Sequence, residues 1–350
     1  MTTLVAAEEK PLPTVEGLIA SQELLHRRLD TSRLEIDYSA KVHVPNDRLV
    51  VLEAFYGHHL ARGINDGGAA AAKDAFEAER KEHATPNDIR LTIDQGRYLA
   101  KSATHEYAWD GENSLVRFLP VEGSNTKESV VHIRSGESSS ATPLYHRLYA
   151  RTPGFLDSDI HLPTKADDIS PWVKSWSEAH MQGSTKVERL ANGHVVLTAA
   201  HKPFTRTFVF DPELGMTLLS AKTRLSSIDD DRAAGVDLIA EFKYSDFVLL
   251  EKGIFSPTGL YYPKRIQILS FTTILDLFSE DELSTFRQLV APSVLEDRRL
   301  ENYRFDLQAS RIEFKESQEA APDLEIKPGE LMYDGTTGKR WRSGEKSSKD

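Results

Sequence analysis

His58 and His59, adjacent in the chain, are the nearest thing in the sequence to a metal-ligating pair. Adjacent side chains diverge on a helix or a strand, and no His-Glu-x-x-His or His-x-His accompanies them. They read as two surface histidines. Asp229-Asp230-Asp231 followed by Arg232 offers oxygens for calcium, but the spaced ligands and central glycine of an EF-hand loop are missing. That run reads as a solvated hairpin tip. Gly63-Ile64-Asn65-Asp66-Gly67-Gly68 lacks the Gly-Lys-Ser/Thr ending of a phosphate cradle and sits in no βαβ unit, so it reads as a connector. No Gly-x-Ser-x-Gly elbow occurs, and the chain has no cysteine. Thiolate nucleophiles, disulfides, Cys-type zinc sites and iron–sulfur clusters are thereby excluded. The expectation is a protein without catalytic residues, metal or cofactor. A hydrolase using an unrecognised carboxylate or histidine site is the least favoured class.

The aromatic residues of two strand-like segments are more informative. Phe204, Arg206, Phe208 and Phe210 recur with period two, as do Phe242, Tyr244, Asp246 and Val248. Each set therefore shares one face of its strand. If the two faces meet, they make an apolar surface with an embedded charge. Two readings stay open. One is an ordinary core with Arg206 snorkelling at its rim. The other is a ligand cavity lined by Phe204, Arg206, Phe208, Phe210, Phe242 and Tyr244, with one polar anchor.

These residues need a sheet to hold them, and the period-two pattern recurs along the chain. Leu34, Ile36, Tyr38, Ala40, Val42 and Val44 alternate with Glu35, Asp37, Ser39, Lys41 and His43. That spacing predicts a strand with one apolar and one wet face. Ile89, Leu91 and Ile93 alternate likewise, before a turn at Asp94-Gln95-Gly96. Further strands are predicted at 114–119, 129–134, 194–200, 204–210, 217–225, 236–250, 261–271, 302–308 and 310–315. Turn residues such as Asn192-Gly193 and Pro212-Glu213-Leu214-Gly215 separate many of them. Strands following strands imply one large antiparallel sheet, curved or partly closed. Amphipathic helices are predicted at 14–29, capped by Thr14, and at 169–181, a further helix at 273–290, and an exposed, Ala-rich then charged helix at 68–82. The helices are expected to cover the apolar face of the sheet.

The 350-residue chain carries 43 basic and 54 acidic residues, a net charge of −11. Nucleic acid and anionic membrane surfaces are bound through clustered Lys and Arg, so neither is an expected partner. No run reaches the roughly 20 apolar residues of a membrane-spanning helix. Leu4-Val5-Ala6-Ala7 before Glu8-Glu9-Lys10-Pro11 resembles the end of an export signal. A periplasmic or otherwise exported location in the bacterial envelope is therefore expected. Residues 1–13 are read as a signal remnant or loose start, 14–342 as one domain with insertions near 53–88 and 136–185, and 343–350 as a loose tail.

This succession of a helix, a long first strand, many antiparallel strands and sheet-capping helices resembles the LolA-like lipoprotein-localisation superfamily. Tyr107-Ala108-Trp109-Asp110-Gly111 resembles its aromatic-Asp-Gly strand-to-turn step. Tyr244-Ser245-Asp246-Phe247, then Gly253-Ile254-Phe255 and Pro257, resembles its late hairpin. Pro328-Gly329-Glu330-Leu331-Met332-Tyr333-Asp334, continuing to Gly338-Lys339, resembles the C-terminal segment of large bacterial members. The resemblance implies an unclosed β-barrel covered by helices. It also implies a carrier or binding role toward a lipid or the acyl chains of a lipoprotein. The alternative is an envelope interaction or sensor domain that docks a protein and carries no lipid.

Overall fold

The computed structural model describes residues 11–43, 87–95, 97–103, 105–109, 113–120, 128–135, 181–201, 204–225, 237–252, 259–273, 299–317, 323–335 and 337–344. One helix, α1 (Val15–Asp30), precedes β1 (Ser32–His43), β2 (Asn87–Asp94), β3 (Arg97–Lys101), β4 (His105–Trp109), β5 (Asn113–Phe118) and β6 (Val130–Ser135). Then come β7 (Thr185–Arg189), β8 (Val195–His201), β9 (Phe204–Asp211), β10 (Thr217–Leu225), β11 (Asp237–Glu251), β12 (Leu260–Thr273) and β13 (Arg299–Glu316). A hairpin of β14 (Leu331–Asp334) and β15 (Arg340–Arg342) completes the described residues.

All fifteen strands lie in one sheet, in the order β15-β14-β6-β5-β4-β3-β2-β1-β13-β12-β11-β10-β9-β8-β7. The ends of this order are not joined, so the described sheet is not closed into a barrel. Meander connections place most strands beside their sequence neighbours, and β1 sits at the centre between β2 and β13. The sheet departs from the all-antiparallel expectation at one place: β14 runs parallel to β6. A parallel pair needs a long crossover rather than a hairpin, and the chain between β6 and β14 supplies it.

The face alternation predicted for β1 is present. Leu34, Ile36, Tyr38 and Ala40 are buried on one face, called the inner face here. The opposite, outer face of β2, β1 and β13 is a ladder of charges. Arg33 pairs with Glu35 at 2.7 Å, Lys315 with Glu313 at 2.5 Å, and Arg90 with Asp37 at 2.8 Å. Opposite charges two residues apart on one strand, or facing across strands as Arg90 and Asp37 do, stabilise a wet sheet face modestly.

The segments 302–308 and 310–315, predicted as two strands, form the single strand β13. The reason is a bulge. Asp37 pairs with Arg311 and Tyr38 with Ala309, so Ser310 is left over, its hydroxyl donating to the Asp37 carbonyl at 3.2 Å. The extra residue shifts the inward phase from Phe305, Leu307 and Ala309 to Ile312 and Phe314, which mimics a strand break in the sequence. Asp246 is another departure. It was expected to share a face with Phe242 and Tyr244, yet it is exposed and has φ 56°. That left-handed residue interrupts the ladder between Ser245↔Arg265 and Phe247↔Pro263. The irregularity falls beside Pro263, which has no N–H to give the ladder.

α1 has the predicted cap: the Thr14 hydroxyl accepts from Gly17 N at 3.1 Å. Val15, Leu18 and Gln22 are buried against the inner face. At the other end, the Thr31 and Ser32 hydroxyls donate to the last-turn carbonyl of Arg28 at 3.2 and 2.8 Å. The helix packs against β1, β2 and β7. β1 and β7 are seven places apart in the sheet order, about 33 Å if the sheet were flat. α1 is 16 residues long, about 24 Å. The sheet from β1 to β7 therefore bends toward the helix, which crosses that half as a chord.

The helices predicted at 68–82, 169–181 and 273–290 lie outside the described residues, except for the helical Met181 and for Thr273, which ends β12. Asn87 already belongs to β2 and Thr185 to β7, at the margins of the two expected insertions. Ser343 is tied into the last hairpin, its N–H donating to the Glu330 carbonyl at 2.9 Å.

Candidate ligand-binding face

Strand registers show how the predicted residues come together. Leu197, Phe208, Ala221, Phe242, Ile268 and Phe305 follow one another across β8, β9, β10, β11, β12 and β13. A second row, Tyr244, Ile266, Leu307 and Ala40, runs beside it. Phe208, Phe210, Phe242 and Tyr244 all belong to the inner hydrophobic cluster and are no more than 4% exposed. Phe208 and Phe210 of one aromatic set and Phe242 and Tyr244 of the other, whose meeting the sequence left open, therefore lie on one face. Small Ala221 stands between Phe208 and Phe242, so the large rings approach across the strand it occupies.

Arg206 lies two residues from Phe208 on the same face and is 8% exposed. Its cross-strand neighbours are Ala199 and Thr223. Both are small and buried, which leaves room for a guanidinium. Phe204 occupies the start of β9, and its side chain lies outside the described residues. His58, His59, the 63–68 glycine segment and Asp229-Asp230-Asp231 also lie outside them. Among the described residues, no group of three or more His, Asp or Glu side chains is placed to hold a metal ion.

α1 closes one end of this face. Gln22 Nε2 donates to the Met216 carbonyl at 3.1 Å, in the turn between β9 and β10. Arg28 grips Glu251, at the end of β11, through two bonds of 2.7 Å, and its guanidinium lies 5.5 Å from the Phe314 ring centroid. That bidentate contact holds the Glu251 carboxyl below its ordinary range. Near that end Gly259, at φ +104°, precedes β12; a Cβ there would come within 2.7 Å of the Glu251 carbonyl, so only glycine fits. Arg206 sits toward the opposite end. The face therefore has a helix-closed end and an end carrying a buried cation.

One polar contact on the face was not foreseen. The hydroxyls of Tyr38 and Tyr262 lie 3.2 Å apart, fully buried. Tyr38 is on β1 and Tyr262 on β12, with β13 between them. The β13 residue opposite Tyr38 is Ala309, whose methyl lets the two phenols reach across. Burial, with the adjacent Tyr38, pushes the Tyr262 phenol well above its usual range. Both tyrosines stood in apolar sequence positions, but nothing there announced their pairing.

The outer face carries a second site that the residue pattern did not reveal. Arg117, on β5, donates Nε to Glu330 Oε1 at 2.7 Å and Nη2 to Glu330 Oε2 at 2.8 Å. It also bonds Glu106 and the Glu325 carbonyl. Ser129 Oγ and the Lys327 N–H complete the shell of Glu330 at 2.8 and 3.1 Å. Burial pushes the Glu330 carboxyl up, and these bonds outweigh it and hold it below its usual range. Beside the ion pair, Leu324 and Met332 pack on Ala108, Leu115 and Val131. This arrangement fastens the C-terminal segment to the sheet. Its dense hydrogen bonding gives it a structural role.

No family model matches the chain, and no curated protein matches it. Among solved structures, the chain is similar to the crystal structure of a DUF1329 family protein from Desulfovibrio piger. The two share 9% sequence identity over 85% of this chain and 92% of that one, with a TM-score of 0.33. At that score the superposition assigns neither ligand nor activity.

Proposed function

We propose that the protein is a binding or carrier protein of the bacterial envelope that holds a lipid, or the acyl chains of a lipid-modified partner, on the inner face of its sheet. The observation that carries this reading is the aromatic row through Phe208, Phe242 and Phe305, with a buried cation, Arg206, displaced toward one end. An acyl chain matches the apolar row in chemistry, and an anionic head group matches the guanidinium. The export-like residues 4–7 and the superfamily resemblance support the envelope setting.

Uptake of a fluorescent fatty-acid analogue, displaced by unlabelled phospholipid, tests this directly. Saturable uptake that falls about tenfold, the effect of losing roughly 1.4 kcal/mol of binding, in Arg206→Gln is expected. A folded protein that takes up no probe contradicts it.

One observation favours a second reading. Phe208, Phe210, Phe242 and Tyr244 are buried by the protein's own atoms, as in a filled core. An envelope docking or sensor domain needs no cavity. A stoichiometric protein partner captured by lipid-free protein is its expected signature.

A further inference from the structure

Asn192-Gly193 is the one Asn-Gly step in the chain. It lies in the turn between β7 and β8, where the Gly193 N–H donates to the Leu190 carbonyl at 2.9 Å. Asn192 is exposed, and Gly193 has φ 86°. A Cβ on Gly193 would meet open space, so the glycine serves the left-handed backbone of the turn. Two contacts set the Asn192 amide apart. Its Oδ1 accepts from the His194 backbone N–H at 3.2 Å. Its Nδ2 lies 3.1 Å from Nδ1 of the His194 ring. The carbonyl oxygen thus faces a fixed donor, and the amide nitrogen faces an imidazole.

We propose that Asn192 is a site of self-catalysed deamidation, with His194 as its proton donor, whatever the inner face of the sheet binds. The nucleophile is the Gly193 backbone nitrogen, which the chain itself holds beside the amide. As it bonds to Asn192 Cγ, negative charge develops on Oδ1, where the His194 N–H already points. The Cγ–Nδ2 bond then breaks. The protonated His194 ring gives its proton to the departing Nδ2, and the proton lost from the Gly193 nitrogen goes to solvent. Ammonia leaves behind a cyclic imide. Water opens the imide at either carbonyl, which gives aspartate or isoaspartate at position 192. The net change is amide and water to acid and ammonia, with no oxidant or reductant involved. Aspartate keeps an acceptor for the His194 N–H, whereas isoaspartate adds a methylene to the backbone between β7 and β8.

One contact opposes the reaction. The Gly193 N–H must leave the Leu190 carbonyl before its nitrogen can attack. The turn is exposed, so water replaces that bond at little cost. Asn113 offers a contrast within the same fold, because it begins β5 and is followed by the buried Ser114.

The test is incubation of the full chain at neutral pH, followed by peptide mapping by mass spectrometry. Circular dichroism confirms the fold of each variant. The expected result is the mass gain of amide-to-acid conversion at Asn192, as separate aspartate and isoaspartate peptides, while Asn113 stays intact. His194→Gln should slow the conversion roughly tenfold, less than a positioned acid usually supplies because the ring is half-exposed. Urea removes the placement of the ring, so the unfolded wild type and the unfolded His194→Gln chain should convert at equal rates. A folded chain in which Asn192 converts no faster than Asn113 overturns the proposal. Equal rates for the two folded chains overturn the role of the ring. A difference that persists in urea overturns that role too, since it comes from the local sequence and not from the fold.

Discussion

The inner face of one half of the sheet and the outer face of the other are held by opposite means, although the second half also buries Tyr107 and Trp109 on its inner face. From β8 to β13, large rings are buried on the inner face, and α1 closes one end through the Gln22–Met216 bond and a partly exposed Arg28–Glu251 pair. From β4 to β6, the outer face is organised by the buried charge pair Arg117–Glu330, which anchors β14 as a parallel strand. Hydrophobic burial is non-directional and tolerates variation in packing partners. A buried ion pair is directional, and loss of either member strands the other in a poorly solvated site. The aromatic half is thus held by packing that tolerates exchange of partners, which the proposed binding of an apolar guest requires, whereas the charged half fixes one connection of the chain.

The largest expected effect comes from the charged half. Arg117→Leu should lose about 4 kcal/mol in urea unfolding because it strands buried Glu330. Arg117→Leu/Glu330→Leu should recover most of that loss. If the double variant is no more stable than the single one, the contrast between the halves fails. In the aromatic half, Phe208→Ala should cost about 3 kcal/mol through lost burial and a residual cavity. Tyr262→Phe removes one buried hydrogen bond and should cost about 1 kcal/mol. Arg28→Ala should cost about 0.5 kcal/mol, because both partners are partly solvated and screened.

pH separates the halves further. The Glu330 carboxyl is held below its ordinary range. Its stabilising contribution is therefore complete above the unfolded Glu value of about 4.3 and is lost as pH falls through the lower folded value. The deficit of Glu330→Gln at neutral pH should narrow in acid, whereas that of Phe208→Ala should not. Thermal midpoints taken across that range decide it.

The same contrast governs what could be read from residues alone. Period-two alternation from Leu34 to Val42, and at Phe204–Phe210, reports local geometry, so β1 and β9 and their buried faces were legible. The placement of Phe208 and Phe242 on one face, with Ala221 between them, followed once β9, β10 and β11 lay in one meander. Arg117 and Glu330 are 213 positions apart, and nothing in the segment around Glu330 points to Arg117, so no local signal joined them. The phase slip at Ser310 acted the other way, since a bulge and a strand break leave the same trace. The short β7, β14 and β15 escaped because three to five residues hold too little alternation to count.

Native mass spectrometry of the protein purified without detergent, followed by solvent extraction, tests the central claim most directly. The account predicts a discrete excess mass that extraction releases as fatty acid or phospholipid. A bare polypeptide mass, unchanged after incubation with envelope lipids, would contradict it.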